Sequence, residues 1–169
     1  GVSAAQRLRE VTEDELVGML VENSDEPYAA EIAATVTKWY KMGKDIETTT
    51  HLRQVIEEAL IRLPKSEKEI AIKKSCARTF QALRIDVNSE FEVLYTFLEK
   101  LPNVLNPGGR VAILTFHSGE DRLVKQSFKA LQKAGVYQEI CKDVIRPSAD
   151  ECIRNSRAKS TKMRWAIKA

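Results

Sequence analysis

Along the N-terminal half of the chain, apolar residues return every third or fourth position, the spacing of one face of a helix. Leu16, Met19 and Leu20 share such a face. Their helix starts at "VTEDEL": Thr12 can cap it, Glu15 completes a capping box, and Val11 with Leu16 forms a hydrophobic staple. A second helix is predicted from "SDEPYAAEIA", with Ser24 or Asp25 as its cap and Pro27 in its first turn. Ala29, Ile32, Ala33, Val36 and Tyr40 form its stripe. A third runs through "ETTTHLRQVIEEALIRLP", with Leu52, Val55, Ile56, Ala59, Leu60 and Leu63 on one face and Pro64 as its end. Such stripes are core surfaces before they are anything else. Tyr28, Trp39, Tyr40 and His51 read as packing or surface residues. "KSEKEIAIKK", residues 65–74, reads as a charged connector.

The pattern changes after residue 104. "RTFQALRIDVNSEFEVLYTFLEKLPNVL" still holds two helical segments, the second capped by Asn88 or Ser89 and carrying Phe91, Leu94, Tyr95, Leu98 and Leu101. "NPGGR" then makes a tight turn. The largely apolar "VAILTF", 111–116, predicts a buried strand. A helix follows with Leu123, Val124, Phe128 and Leu131 inward. "VYQEICKDVI" and "TKMRWAIKA" alternate as a hairpin pair, joined by the polar loop "RPSADECIRNSRAKS". Helices first, then helix, strand, helix and two strands describe an α/β chain with about half of an open sheet.

Composition narrows this picture only slightly. The chain has 169 residues, enough for one ordinary domain or one domain and a small companion. The longest apolar run, Val111–Leu114, is too short to cross a bilayer, and the sequence predicts neither a membrane span nor a signal peptide. Three widely spaced cysteines, no CxxC and two histidines argue against a structural zinc site and for reduced thiols. The net charge of +3 is unevenly spread. Residues 1–33 are acid-rich, while the segment from 154 onward carries Arg154, Arg157, Lys159, Lys162, Arg164 and Lys168 without an acid. That asymmetry fits a polyanion meeting part of the surface, and it equally fits a solvated basic terminus.

The candidate chemistry sits in "FHSGEDR", just where the apolar strand ends. Ser118 lacks a G-x-S-x-G setting, which argues against a hydrolase nucleophile. His117, Glu120 and Asp121 do not follow a standard metal-ligand spacing, so no metal site is assigned. A helix start explains part of the cluster: Ser118 as cap, Asp121 at the third position, and both carboxylates at the positive end of the helix. Capping requires neither the histidine nor Arg122. In open α/β sheets, ligands bind at the carboxyl ends of strands, and His117 and Ser118 stand there.

Three stretches carry a family resemblance: "RTFQALRIDVNSE" (78–90), "LNPGGRVAILTFHSGEDRLVK" (105–125) and "NSRAKSTKMR" (155–164). In order and spacing they resemble the MraW/RsmH family of S-adenosylmethionine-dependent methyltransferases, across essentially the whole chain. Members typically read R-T-F-Q-A-L-R-I-x-V-N-x-E, then P-G-G-R, S-F-H-S-L-E-D-R-x-V-K and N-P-R-x-R-S-x-K-L-R. Here Gly119 stands where leucine is usual, "KSCARTF" replaces His-Pro-Ala-Thr-Arg-Thr-Phe, and "NSR" replaces Asn-Pro-Arg. The segment between Phe128 and Val144 is also shorter than in many bacterial members.

The resemblance implies an α/β fold of two parts. Residues 1–74 would be a helical insertion domain for substrate recognition. Residues 75–169 would be the C-terminal half of a Rossmann-like class I methyltransferase sheet. The implied activity is methylation of a cytosine N4 at the decoding site of small-subunit ribosomal RNA. The implied cofactor is S-adenosylmethionine. The family's G-x-G-G-H loop, which holds that cofactor, is not in this sequence, so its site is expected upstream and the chain alone is expected to be inactive. His117, Ser118 and Glu120 are implied as catalytic residues on the target-base side. Asp121 and Arg122 would hold the turn. Arg78, Gln81, Arg84, Asn88, Arg122, Asn155, Arg157, Lys159, Lys162 and Arg164 would contact RNA or wall its site. The implied partner is the ribosomal small subunit, a homodimer is compatible, and no membrane is involved. The compartment would be the cytoplasm of a bacterium, or a plastid or mitochondrion of a eukaryote. A non-catalytic RNA- or ribosome-binding fragment is the competing reading.

Overall fold

A computed structural model describes all 169 residues, which divide into two compact units, Gly1–Ser89 and Glu90–Ala169. The first unit is entirely helical. Helix α1 spans Ala4–Glu10, α2 Glu13–Ser24, α3 Ala29–Lys41, α4 Thr49–Ala59 and α5 Lys65–Asn88. The capping box at α2 forms as expected. Thr12 Oγ1 accepts from the Glu15 N–H at 3.2 Å, and Glu15 Oε2 accepts from the Thr12 N–H at 3.0 Å. The predicted stripes meet in one core, where Leu16, Leu20, Ile32, Val36, Leu52, Val55 and Ile56 are buried.

Three local expectations are corrected here. Asp25 does not cap α3; it ends α2 in the left-handed region at φ 52°, and Pro27 lies before α3 begins. Its neighbour Glu26 is buried and accepts hydrogen bonds from Ser75 Oγ at 2.8 Å and the Tyr28 N–H at 3.1 Å. Pro64 does not end α4 directly. It stands at the N-cap of α5. And 65–74 is no connector: it forms the first turns of the 24-residue α5. The lysines and glutamates there lie outward while Ile72, Ser75, Cys76 and Thr79 turn into the core. The compact units meet at Ser89, a left-handed residue (φ 49°), and residue 74 lies inside a continuous helix.

The second unit starts with α6, Glu90–Lys100, and a short 3-10 turn over Leu101–Val104. Strand β1 spans Arg110–Thr115, α7 Ser118–Lys133, β2 Tyr137–Ile140, α8 Ala149–Arg154 and β3 Lys162–Lys168. The segment between the last two strands is thus not a plain loop. It holds α8 and a 3-10 turn over Ser156–Ser160. The turn before β1 depends on both glycines. Gly108 has φ +78°, and a Cβ on Gly109 would stand 2.7 Å from the Asn106 carbonyl oxygen.

The sheet order is β1-β3-β2, with β3 antiparallel to both neighbours. So β1 and β2 run parallel, joined across α7. The sheet's pleat points Val111 and Ile113 toward a core of Leu98, Leu101, Val124, Phe128, Tyr137 and Ala166. Phe128 and Tyr137 meet edge to face at 5.5 Å. The other face of β1 is bare. Leu114 is 58% and Phe116 59% exposed. The expectation of a buried strand is corrected on this point: within this chain, β1 is an edge strand covered on one side only. Tyr95, expected inward on α6, is exposed as well.

Candidate functional site at the carboxyl end of β1

The chain leaves β1 at Thr115 and enters α7 at Ser118. The cap of α7 is His117, one residue earlier than expected, and Ser118 is its first helical residue. His117 has extended backbone (φ −145°, ψ 164°), and its Nδ1 accepts the Glu120 N–H at 3.4 Å. Glu120 Oε2 reaches back to accept the Phe116 N–H at 3.0 Å. This is the reciprocity of a capping box, with imidazole in the hydroxyl's place and the carboxylate reaching one residue further back.

Two consequences follow for the imidazole. Because Nδ1 accepts, the neutral ring carries its proton on Nε2. Nε2 is buried and lies 3.4 Å from Glu120 Oε1, near enough for attraction but without the alignment of a hydrogen bond. The His117 side chain is only 12% exposed, and Phe91 leans on it with ring centroids 5.7 Å apart. His117 lowers the Glu120 carboxyl from its ordinary value, burial opposes this, and the Phe116 N–H adds to the lowering. Glu120 is therefore an ionised acceptor at neutral pH, beside a ring N–H that lacks a full acceptor. The partly exposed carboxylate can accept from an N–H of a planar polar ring.

Asp121 belongs to a different arrangement. Its two oxygens accept from Arg164 Nε at 2.7 Å and Nη2 at 3.1 Å, and Lys162 Nζ is 4.0 Å away. This bidentate pair ties the first turn of α7 to β3, with both side chains 11% exposed. Burial pushes the Asp121 carboxyl up, but Arg164, Lys162 and Lys125 outweigh it and hold it below its ordinary value. The Arg164 guanidinium is raised by the same contact. The turn is thus held from β3.

The other predicted residues fall as follows. Asn155 Oδ1 accepts the Arg157 N–H at 3.1 Å and so opens the 3-10 turn. Arg157 and Lys159 are exposed on that turn, and Lys162 is half-buried. Ser118 and Arg122 are exposed at the start of α7. In the helical unit, Arg78 and Gln81 are half-buried on α5. Arg84 and Asn88 line a groove of about 320 Å³ with Leu8, Ile46, Leu52 and Phe80.

Two residues beside the imidazole are not singled out by sequence reasoning. Phe91 reads as one more apolar position of α6. Glu90 joins His117 and Glu120 in a group whose donor atoms all lie within 4.8 Å, a geometry that could hold a divalent cation. Gly119 carries the one signal: a Cβ there would stand 2.6 Å from Phe91 Cζ, so its absence makes room for the ring. As for a cofactor cradle, the amides of Gly108 and Gly109 are already spent on the Lys168 and Asn106 carbonyls. The glycines of this chain do not fit the phosphate- or nucleotide-type loop.

A three-stranded mixed sheet with helices and a polar, partly buried turn at the carboxyl end of β1 has the form of an α/β fragment. All 169 residues match the MraW methylase family, and the chain belongs to that family. It is 66% identical, over its whole length, to a protein of Lachnoclostridium phytofermentans named ribosomal RNA small subunit methyltransferase H 1. It is 62% identical to the protein so named in Agathobacter rectalis, and 59% identical to ribosomal RNA small subunit methyltransferase H 2 of Alkaliphilus metalliredigens, again over its whole length. The match takes in 46% of the first relative and 48% of each of the other two, so the chain spans about half their length.

Proposed function

We propose that this chain is the substrate side of a small-subunit ribosomal RNA methyltransferase that modifies the N4 amine of a decoding-site cytosine. The observation that carries the reading is the Glu120 carboxylate, held ionised beside the Nε2–H of His117 at the carboxyl end of β1. The relatives' names support the RNA substrate and the methyl transfer.

The residues divide the work by chemistry. The cytosine must leave its stack to be presented. Its N4 lone pair is delocalised into the ring, so an acceptor on the N4–H raises its nucleophilicity, and Glu120 is that acceptor. The same carboxylate takes the proton that N4 gives up when it gains a methyl group. His117 positions that carboxylate: its Nδ1 accepts the Glu120 N–H and its Nε2 stands 3.4 Å from Glu120 Oε1. Ser118 lines the mouth. S-adenosylmethionine supplies the methyl group and is bound by the remainder of the complete protein. Arg78, Gln81, Arg84 and Asn88 form a wall or RNA contacts of the helical unit. Arg157, Lys159 and Lys162 meet phosphate. Arg122, Asn155 and Arg164 shape the surface that carries them. The working compartment is the cytoplasm of a bacterium.

The test is substitution in the complete protein. His117→Asn keeps a good helix cap but removes the imidazole, whereas His117→Ala removes both. Glu120→Gln keeps the shape and removes the charge. Methylation of small subunits should fall at least a hundredfold in His117→Asn and in Glu120→Gln, with RNA binding kept. Unchanged turnover in both variants would defeat the assignment. RNA binding by a protein that never methylates would favour the non-catalytic reading instead.

A further inference from the structure

Away from the polar turn, α7 presents Lys125 and Lys129 one helical turn apart, both exposed. With Lys142, just past β2, they surround a depression of about 260 Å³. Its apolar floor is Phe128, Ile140 and Val144, and the Arg164 guanidinium forms part of its wall. None of the three lysines forms an ion pair within the chain. Asp143 is the one acid in the lining. These lysines lie outside the basic tail and outside the polar turn.

A solvated helix face would scatter its charges toward water. Here two elements turn unpaired ammonium groups onto one concavity, which raises the local potential. Rise along a helix puts Lys125 about 7.5 Å and Lys129 about 13.5 Å beyond Glu120, and the helical turn of about 100° per residue sets both on the far side of α7 from it. A strand whose base enters at Glu120 would reach these lysines by passing round the start of α7. Lysines act on phosphate as mobile point charges and need no fixed fork. The concavity also excludes part of the water, which strengthens each contact.

We infer that the depression formed by Lys125, Lys129 and Lys142 binds backbone phosphates of the RNA strand that flanks the target nucleotide. This rests on the RNA-methyltransferase reading for the identity of the polyanion, and it joins Lys129 and Lys142, which lie outside the family motifs, to Lys125, which closes one of them. Its contribution is to affinity and register, not to the reacting atoms.

The complete protein should be titrated with deproteinised small-subunit ribosomal RNA and, separately, with a single-stranded oligocytidylate, reading fluorescence anisotropy across a salt series. Lys125→Glu with Lys129→Glu should weaken both complexes at least tenfold near about 0.1 M salt. The log–log salt slope should fall by about 1.4, the loss of two single-strand phosphate contacts. Lys125→Gln with Lys129→Gln should lie between, and Asp143→Asn should tighten binding. Turnover at saturating RNA should not change. Affinity and slope equal to the parent's in the charge-reversed variant, with its melting temperature retained, would overturn the site. Should the parent bind RNA through these lysines yet transfer no methyl group, the phosphate site stands and the catalytic reading falls. Should the charge-reversed variant methylate with intact affinity, the catalytic reading stands and the phosphate site falls.

Discussion

At the scale of single residues, His117 does a job that sequence reasoning gives to a hydroxyl. A cap at this position is expected to be a hydroxyl, so the histidine looks surplus to the helix start. In the structure it is the cap, and the shift by one residue hands Ser118 to the first turn. Imidazole can do this because Nδ1 is an acceptor whenever Nε2 holds the proton. Gly119 completes the arrangement by leaving space for Phe91 against the ring. That predicts a sign reversal. Gly119→Ala forces the Phe91 ring off His117 and should cost about 1 kcal/mol, an overpacking penalty that outweighs the gain in helix propensity. In a Phe91→Ala background the same change meets only His117 Nδ1, at 3.3 Å, and should stabilise by about 0.5 kcal/mol. Urea unfolding of the four members of this cycle measures both values. Equal effects in the two backgrounds would mean that the ring does not constrain position 119.

Among the elements, the capping box of α2, the stripes of α3 and α4 and the run of β1 were legible because each pattern is local. α5 was not. Its first ten residues present mostly charged side chains, and only Ile72 and its successors reveal a buried face once the rest of the first unit surrounds them. The Asp121–Arg164 pair is another such case, since 43 residues separate the partners. It joins α7 to β3, so its loss acts on the whole second unit. Asp121→Asn leaves a nearly buried guanidinium without its counter-charge, at a cost of about 3 kcal/mol. The pH dependence has a definite sign. The Asp121 and Glu120 carboxyls titrate below their ordinary values in the folded chain. Their stabilisation is therefore complete above the unfolded carboxylate range, about pH 4, and is lost as pH falls through the lower folded values. Thermal melts should hold steady from neutral pH to about pH 5 and then drop. The Asp121→Asn variant should melt lower throughout and drop less steeply in acid. A parallel acid drop would place the titrating contact elsewhere.

For the molecule as a whole, the informative feature is β1. One edge pairs with β3, its outer edge has no strand beside it, and Leu114 and Phe116 lie bare on one face. An unbroken apolar run is written for a strand covered on both sides. The chain also spans about half the length of its relatives. Both facts fit a sheet that continues past β1 in the complete protein. Leu114 tests this because lysine there should act in opposite directions in the two settings. In this chain Leu114→Lys places a charge on an exposed face. It should leave the melting temperature nearly unchanged and reduce self-association, since bare apolar edges invite pairing between copies. In the full-length protein the same lysine would be forced into a packed layer, at a cost of about 3 kcal/mol or more. Calorimetric titration with S-adenosylmethionine should then show binding by the full-length protein and none by this chain. Light scattering and thermal melts of both lengths give the remaining readouts. A neutral effect of the lysine at full length would mean that the sheet ends at β1, and cofactor binding by this chain alone would make the "FHSGEDR" turn the first candidate for its site.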